Sequence, residues 1–234
     1  LLCPGSWQFY GSCFISPEQV RLTRDDRSLK GAIYNTVPVT FPEWEVHITF
    51  RVHGATGKLF GDGFAFWYTR DFLSPGDAFG SQAKFYGLGV FFDTYSNHNG
   101  EHKHDHPYIS AMVDDGTSLY DHNRDGTHTQ LAGCSSNFRN LPQDAVAAIR
   151  YSRKQLRVSV DLDNSGKWRD CFTAYNVNLP TNLYFGLSAA TGDLSDNHDI
   201  RSMKVYELEG EQDTVDHSKI VPYAGGLEKA LGES

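Results

Sequence analysis

The chain has 234 residues, of which 39% are hydrophobic and 13% aromatic, and 29 acidic residues against 21 lysines and arginines give a net charge of −8. This composition is typical of one compact domain and excludes a disordered or low-complexity protein. Without a cluster of lysines and arginines, nucleic acid is excluded as a partner. No apolar run approaches the roughly 20 residues of a membrane-spanning helix.

Alternating or short apolar runs predict β-strands along most of the chain. Residues 44–52 come first and place five apolar side chains on one face of a strand. Residues 155–161 alternate in the same way and end in DLDNSG, which favours a turn. Shorter aromatic or β-branched runs, each bounded by turn residues, are GFAFWYT, YGLGVFFD, PYISAMV, AVAAIRY and LYFGLSAA. Many short strands with almost no amphipathic helix predict an all-β antiparallel sandwich, because each strand must bury its apolar face against a second sheet.

The strand pattern stops near residue 210. The remaining segment is rich in acidic residues and contains a Gly pair. We therefore predict one folded domain over residues 1–210 and a loosely packed tail or linker over residues 211–234.

The four cysteines favour an oxidising compartment. Cys3, Cys13, Cys134 and Cys171 show no C-x-x-C spacing of a zinc or redox motif. An even number of cysteines fits two disulfides, with three possible connectivities. The cysteines alone therefore favour the secretory pathway.

Two loops offer oxygen ligands for a hard cation. FFDTYSN ends a predicted strand with Asp93 and Asn97, and DHNRDG contributes Asp125. Carboxylate and amide oxygens suit calcium. DHNRDG and DLDNSG both begin like an EF-hand loop, but the twelfth positions hold Ala132 and Phe172 instead of Glu. We interpret DLDNSG as a hairpin turn.

One segment is unusually rich in histidine. His98, His102, His104 and His106 lie within NHNGEHKHDH. Zinc binding is one interpretation, and a solvated loop whose imidazoles contact only water is the other. We favour the solvated loop, because alternate positions on a loop do not fix tetrahedral geometry.

No convincing catalytic motif is present. The sequence lacks G-x-S-x-G and a Cys with an accompanying His motif. Glu43 and Glu45 sit two residues apart, so we expect both on the solvent-facing side of one strand. We predict that the chain is not an enzyme.

Four motifs in order, HGATGKLFGDGFAFWYTRD, GLGVFFDTYSN, SLYDHNRDG and AATGDLSDNHD, resemble those of the L-type lectins. These animal and fungal lectins carry glycoproteins between the endoplasmic reticulum and the Golgi. The likeness runs from about residue 7 to residue 210. It is nearest to the vesicular integral-membrane mannose lectin branch, because residues 192–194 read GDL.

This resemblance implies a legume-lectin-like, concanavalin-like sandwich of jelly-roll topology that binds calcium and mannose at one edge. It implies a disulfide between Cys134 and Cys171, and leaves the pairing of Cys3 and Cys13 open. By motif, the calcium ligands are Asp93, the carbonyl of Tyr95, Asn97 and Asp125. The implied sugar contacts are Ser28, Asp62, Asn97, His122, Gly192, Asp193 and Leu194.

The same resemblance implies a calcium-dependent lectin for high-mannose N-glycans of glycoprotein cargo. It places the chain in the lumen of the secretory pathway, as the luminal part of a single-span membrane protein whose membrane segment lies outside this sequence. The His-rich insertion after Asn97 departs from the family and affects the expected specificity. Two alternatives stay open, a glycoside hydrolase on the same sandwich and a metal-binding scaffold that acts through the histidines.

Overall fold

Nearly all of the regular structure is β-strand, as a computed structural model of the chain shows for residues 6–97, 105–210 and 212–225. Short 3-10 turns cover His122–Arg124 and His217–Lys219. The strands are β1 Trp7–Gly11, β2 Phe14–Ile15, β3 Val20–Thr23, β4 Lys30–Asn35, β5 Trp44–His53, β6 Gly63–Thr69, β7 Tyr86–Asp93, β8 Tyr108–Asp115, β9 Ala132–Ser135, β10 Ala145–Ser152, β11 Gln155–Asp161, β12 Arg169–Ala174, β13 Val177–Asn178, β14 Tyr184–Ala190, β15 Asn197–Glu207 and β16 Tyr223–Ala224.

The strands form two stacked antiparallel sheets, which confirms the predicted all-β sandwich. The front sheet has the order β1-β4-β14-β6-β7-β8-β9, and the back sheet has the order β12-β11-β10-β5-β15-β3-β2. The crossovers, such as β14 between β4 and β6, place segments far apart in sequence side by side. Each predicted strand is present, and β5 differs from its prediction only by including His53.

Two strands show why the sandwich forms. In β5 buried and half-buried residues alternate along all ten positions, because one face meets the core and the other meets solvent. Every residue of β6 is buried. Phe64 and Phe66 enter the core between the sheets, whereas Trp67 joins a second apolar cluster on the outer side of the front sheet with Phe79 and Phe85. The segment between β6 and β7 covers that outer side.

The predicted turn and disulfide are both confirmed. DLDNSG connects β11 to β12, and the Asp161 carboxylate accepts the N–H groups of Ser165 at 3.1 Å and Gly166 at 2.8 Å. Cys134 on β9 is bonded to Cys171 on β12. Because β9 and β12 are edge strands of different sheets, this bond joins the sheets along one side.

Cys13 has no disulfide partner among the described residues. Burial raises the pKa of its thiol to about 11, so the thiol stays protonated at neutral pH. Cys3 lies outside the described residues, and the pairing of Cys3 with Cys13 stays open.

The segment after residue 210 was predicted to pack loosely, but part of it is tied to the sandwich. β16 pairs with β13 in a small sheet of its own. The N–H of Thr181 donates to the carbonyl of His217 at 3.2 Å, and the N–H of Gly225 donates to Asn176 at 2.9 Å. The two-residue strands gave no alternation that a sequence pattern could reveal. The boundary of the folded domain at residue 210 stays a prediction.

A buried histidine on β15 makes the stability of the fold depend on pH. His198 is fully buried, and its Nδ1 lies 2.6 Å from the Thr23 hydroxyl. Burial lowers the pKa of His198 to about 3, against the opposing charge of Asp199. The unfolded chain binds a proton here below about pH 6.5, whereas the folded chain does not. The contribution of neutral His198 to the free energy of unfolding is therefore fully present above that pH and decreases as the pH falls toward 3.

We expect His198 to account for a loss of about 2 kcal/mol in the free energy of unfolding between pH 7.5 and pH 5.0. His198→Gln keeps a polar partner for Thr23 but cannot titrate, so its pH dependence should be weaker by that amount. Urea denaturation of both proteins at the two pH values measures the difference. The same pH dependence in both would contradict the prediction.

Candidate functional site

A buried carboxylate stands at the end of β7. Asp93 is the last residue of that strand and is 3% exposed. Its Oδ1 accepts the N–H of Tyr95 at 3.0 Å. Burial raises the pKa of Asp93 against the effect of the neighbouring His106, and the charge on Asp125 adds to the rise. A carboxylate in such surroundings needs a proton or a cation beside it.

The DHNRDG loop brings a second carboxylate to the same place. Asp121 begins a 3-10 turn by accepting the N–H of Asn123 at 3.1 Å. The turn ends at Asp125, whose φ of 52° lies in the left-handed region. The Asp125 carboxylate accepts the N–H of Asn97 at 3.2 Å and its Nδ2 at 2.8 Å. The loop after β7 and the DHNRDG loop are therefore hydrogen-bonded to each other.

These contacts assemble a donor set that fits a hard cation. One donor atom from each of Asp93, His106 and Asp125 lies within 4.8 Å of the others. Calcium takes six to eight oxygen ligands, and the two carboxylates supply the charged ones. The Asn97 amide nitrogen donates to Asp125 and, at 2.8 Å, to the carbonyl of His122. Rotating this amide by 180° places its oxygen on the same side as the two carboxylates, where a cation between them would take it as a ligand. Tyr95 lies between Asp93 and Asn97 in the same loop.

Asp62 joins the loop after β7, residues 94–97, which we call the cation loop, to the end of β14. Its N–H donates to the carbonyl of Ala190 at 3.0 Å, and its carbonyl accepts the N–H of Thr94 at 3.0 Å. The Gly61–Asp62 peptide is cis. Burial raises the pKa of the Asp62 carboxyl to about 6, against the effect of His122, while the charges of Asp93 and Asp193 add to the rise. The carboxylate therefore lies in the electrostatic field of both neighbouring loops and is still mostly ionised at pH 7.4.

The GDL loop lies on the other side of Asp62. A Cβ on Gly192 would stand 3.5 Å from Asp62 Oδ1, an ordinary van der Waals distance, so the GDL loop lies directly beside the carboxylate. The N–H of Gly192 donates to the carbonyl of Leu194 at 3.1 Å. The carbonyl of Gly192 accepts the N–H of Ser28 at 3.0 Å. The structure thus brings Ser28 and the GDL loop to the same rim as Asp62.

An open pocket of about 670 Å³ lies in front of Asp62. His122, Asn123 and Tyr120 line one wall, and Lys30 and Asp77 line another. Lys30 Nζ lies 3.2 Å from Asp77 Oδ1 at the exposed edge. The volume falls within the range of small-ligand pockets, and the lining combines acceptors, donors and an aromatic wall.

A buried guanidinium that no sequence motif indicates connects these loops. Arg139 forms two hydrogen bonds to Asp196, at 2.9 Å and 2.8 Å, and donates to the carbonyl of Thr56 at 2.7 Å. Its guanidinium carbon lies 3.8 Å from the centre of the Phe60 ring. Arg139 thus connects the segment before Asp62 to the segment after the GDL loop. No local pattern around NFRN indicates this role, because its partners are far away in sequence.

The favoured interpretation of the His-rich segment is wrong for one of its members. The His106 side chain is 7% exposed, and its Nε2 lies 3.4 Å from Asp93 Oδ2. It therefore contacts Asp93 rather than water alone. His98, His102 and His104 lie outside the described residues.

The chain belongs to the legume-like lectin family, whose profile matches residues 2–214. It is 49% identical over 222 residues to the vesicular integral-membrane protein VIP36 of Homo sapiens, which covers 92% of this chain and 62% of that protein. It is 46% identical over 205 residues to the VIP36-like protein of Mus musculus, covering 87% of this chain and 59% of that protein. The chain therefore spans about 60% of the length of these relatives.

Solved structures of similar proteins have the same fold. The exoplasmic/lumenal domain of VIP36 in a Ca2+/Man-bound form superposes with a TM-score of 0.90 at 49% identity, over 95% of this chain and 91% of that one. A Ca2+/Man3GlcNAc-bound form gives a TM-score of 0.87 at 48% identity, over 93% of each chain. These relatives bind calcium and mannose in those crystals. The legume-lectin-like fold is thus confirmed.

Membership in a carbohydrate-binding family agrees with the prediction that the chain is not an enzyme. It also confirms the resemblance drawn from the four motifs. Across the described part of the chain, no helix has the length and apolar character needed to cross a membrane. The roles of the individual site residues stay predictions.

Proposed function

We propose that this chain is a calcium-dependent lectin domain that binds high-mannose N-glycans of glycoprotein cargo. One observation carries the proposal, namely the position of the Asp62 carboxylate. Asp62 is bonded through its backbone to Thr94 of the cation loop and lies beside Gly192 of the GDL loop. A half-buried carboxylate held between two loops, at the base of an open pocket, suits a polyhydroxylated ligand.

The proposed sugar site works through hydrogen-bond acceptors and donors arranged in a fan. An ionised carboxylate such as Asp62 accepts from two adjacent hydroxyl groups of mannose. Asn97 and His122 stand on one side of it, and the GDL loop with Ser28 stands on the other. The proposed sugar contacts are Ser28, Asp62, Asn97, His122, Gly192, Asp193 and Leu194.

The proposed calcium ion acts by ordering the site. Asp93, Asn97, Asp125 and the carbonyl of Tyr95 would hold it. When the Asn97 amide turns its oxygen toward the ion, its nitrogen leaves Asp125 and becomes available to a sugar hydroxyl. Calcium would also fix the loop that carries Thr94, which is bonded to Asp62. Ordering the loops before the sugar arrives removes an entropic cost from binding.

We further propose that the domain faces the lumen of the early secretory pathway and recognises cargo moving between the endoplasmic reticulum and the Golgi. The named relatives that support this are a vesicular integral-membrane protein and its paralogue, together with ERGIC-53 of Rattus norvegicus at 35% identity over 86% of this chain and 39% of that protein. The membrane attachment would come from segments outside this sequence.

Calorimetry with an α-linked mannose oligosaccharide tests the proposal. Binding heat is expected for the wild-type chain in calcium, and none in chelator or for Asp93→Ala in calcium, because both changes remove the ion that orders Asn97. Asp161→Ala is the matched control, since Asp161 holds a remote hairpin turn. No heat from the wild type in calcium would overturn the proposal.

A further inference from the structure

His106 is turned into the cation site from a segment that the lectin function does not use. It precedes β8, and its ring centre lies 6.1 Å from that of Tyr108. The side chain is 7% exposed, and Nε2 lies 3.4 Å from Oδ2 of Asp93. A nitrogen donor is therefore buried beside a carboxylate that we assign to calcium.

Two overlapping donor sets meet at this place. The oxygen set comprises Asp93, Asn97 and Asp125. The second set comprises His106 with the same two carboxylates, whose donor atoms lie within 4.8 Å of one another. Both carboxylates belong to both sets, so an ion held by one set uses the negative charge that the other set needs and repels a second cation beside it.

The two sets suit different cations. Calcium is a hard ion that takes oxygen ligands at about 2.3–2.6 Å. An imidazole nitrogen with carboxylates suits zinc, which takes four ligands at about 2.0–2.2 Å in a tetrahedron. Ligands at those distances lie on the order of 3.4 Å apart. Nε2 of His106 and Oδ2 of Asp93 already lie 3.4 Å apart, so the adjustment falls mainly on Asp125, whose donor atom lies within 4.8 Å of the others.

We propose that His106, Asp93 and Asp125 form a zinc site that competes with calcium. The fourth position takes water or the oxygen of Asn97. Zinc binding itself is independent of the lectin proposal, whereas the competition rests on the proposed calcium site. Zinc occupancy neutralises the charge of Asp93 and Asp125 and places a second divalent cation beside the calcium position, so zinc weakens the apparent affinity for calcium. The arrangement gives the site a second state in which the sugar loops lose their calcium.

The test is a calorimetric titration of zinc chloride into the 234-residue chain after removal of divalent cations. The central variant is His106→Phe, which keeps an aromatic ring beside Tyr108 but removes the nitrogen. His98, His102 and His104 are replaced together by Ala in a second protein, to separate zinc binding by those residues. His47→Phe, on the back sheet, is the matched control.

We expect one zinc site in the wild type and at least about a tenfold loss of zinc affinity in His106→Phe. Zinc affinity should stay within about threefold in the triple variant and the control. Calcium affinity of His106→Phe should fall less than its zinc affinity does, because the proposed calcium ligands are oxygens and His106 adds to them only a contact with Asp93. Cobalt gives an independent readout, since its visible absorption intensifies in a four-coordinate site and should weaken in His106→Phe.

Several results would overturn the inference. These are an absence of zinc binding in the wild type, equal zinc affinity in His106→Phe, a loss confined to the triple variant, and an equal loss of calcium and zinc affinity in His106→Phe. Circular dichroism checks the fold of each variant, and His106→Asn replaces His106→Phe if the latter does not fold. None of these measurements requires the glycan, so a failure of the lectin proposal is seen separately.

Discussion

Asp62→Asn is expected to weaken the binding of α-linked mannose oligosaccharides by about 100-fold or more at pH 7.4. Burial raises the pKa of Asp62 to about 6, so the wild-type carboxylate is mostly ionised at that pH. It then accepts two charge-assisted hydrogen bonds, each worth about 1.5–3 kcal/mol. The amide of Asn is similar in shape, but it lacks the charge and offers one acceptor in place of two.

The control for this change is Asp77→Asn in the same pocket. The Asp77 side chain is 92% exposed and contacts Lys30 at the rim, so its loss should change mannose affinity by no more than about threefold. Calcium affinity should stay within about threefold in both variants, because neither residue belongs to the proposed oxygen set. Calorimetry with the sugar and with calcium gives all four values. Mannose affinity that is equal in wild type and Asp62→Asn would remove Asp62 from the site.

The strands could be predicted because the hydrophobicity of their residues follows whether each face is buried or exposed. In β5, Val46 and Ile48 alternate with Glu45 and His47, and the structure buries the first pair more than the second. β6 has no such alternation, because both of its faces are buried. A continuous apolar run of that length predicts a strand but not what covers it. The outer cluster around Trp67 was therefore invisible in the sequence.

The site could be predicted only in pieces. The sequence offers Asp93 and Asp125 as oxygen donors, but 32 positions apart, and nothing local places them together. Their proximity follows from the hydrogen bonds of Asn97 to Asp125. The family resemblance supplied that link, since residue chemistry alone could not.

The four histidines are close in sequence but do not share one environment. Their clustering in one segment suggested that all of them either bind zinc or contact water. His106 differs from a solvated histidine because it lies just before β8, which pairs with β7 and so brings the His106 side chain into contact with Asp93. Burial of a single residue at the end of a polar segment depends on tertiary structure. A count of histidines does not contain this information.

Asp196→Ala is expected to lower the free energy of unfolding by about 3–5 kcal/mol, measured by urea denaturation at pH 7.4. The Arg139 side chain is 5% exposed and that of Asp196 is fully buried. Removing the carboxylate leaves a buried guanidinium without its counter-charge. Mannose affinity should fall as well, because Arg139 also holds Thr56 and Phe60 in the segment that leads to Asp62.

Asp170→Ala is the matched control for this loss of a carboxylate. Asp170 lies 2.6 Å from Arg157, but the two side chains are 63% and 52% exposed. Removing an exposed partner should cost no more than about 1 kcal/mol. A loss of comparable size in both variants would show that burial is not the cause. Unchanged mannose affinity in Asp196→Ala would show that the ion pair does not position the loops of the sugar site.

The expected fall in the free energy of unfolding of Asp196→Ala is larger than the contribution of the intact ion pair to stability. Burial raises the pKa of Asp196 in spite of the neighbouring Arg139, so desolvation opposes the attraction between the two charges. A double replacement, Arg139→Met with Asp196→Leu, removes both charges and should recover a large part of the stability. It should not recover mannose affinity, because Met cannot donate to Thr56 or hold the two segments together. If the double replacement restores stability but not mannose binding, the role of the buried pair is to position the loops around Asp62.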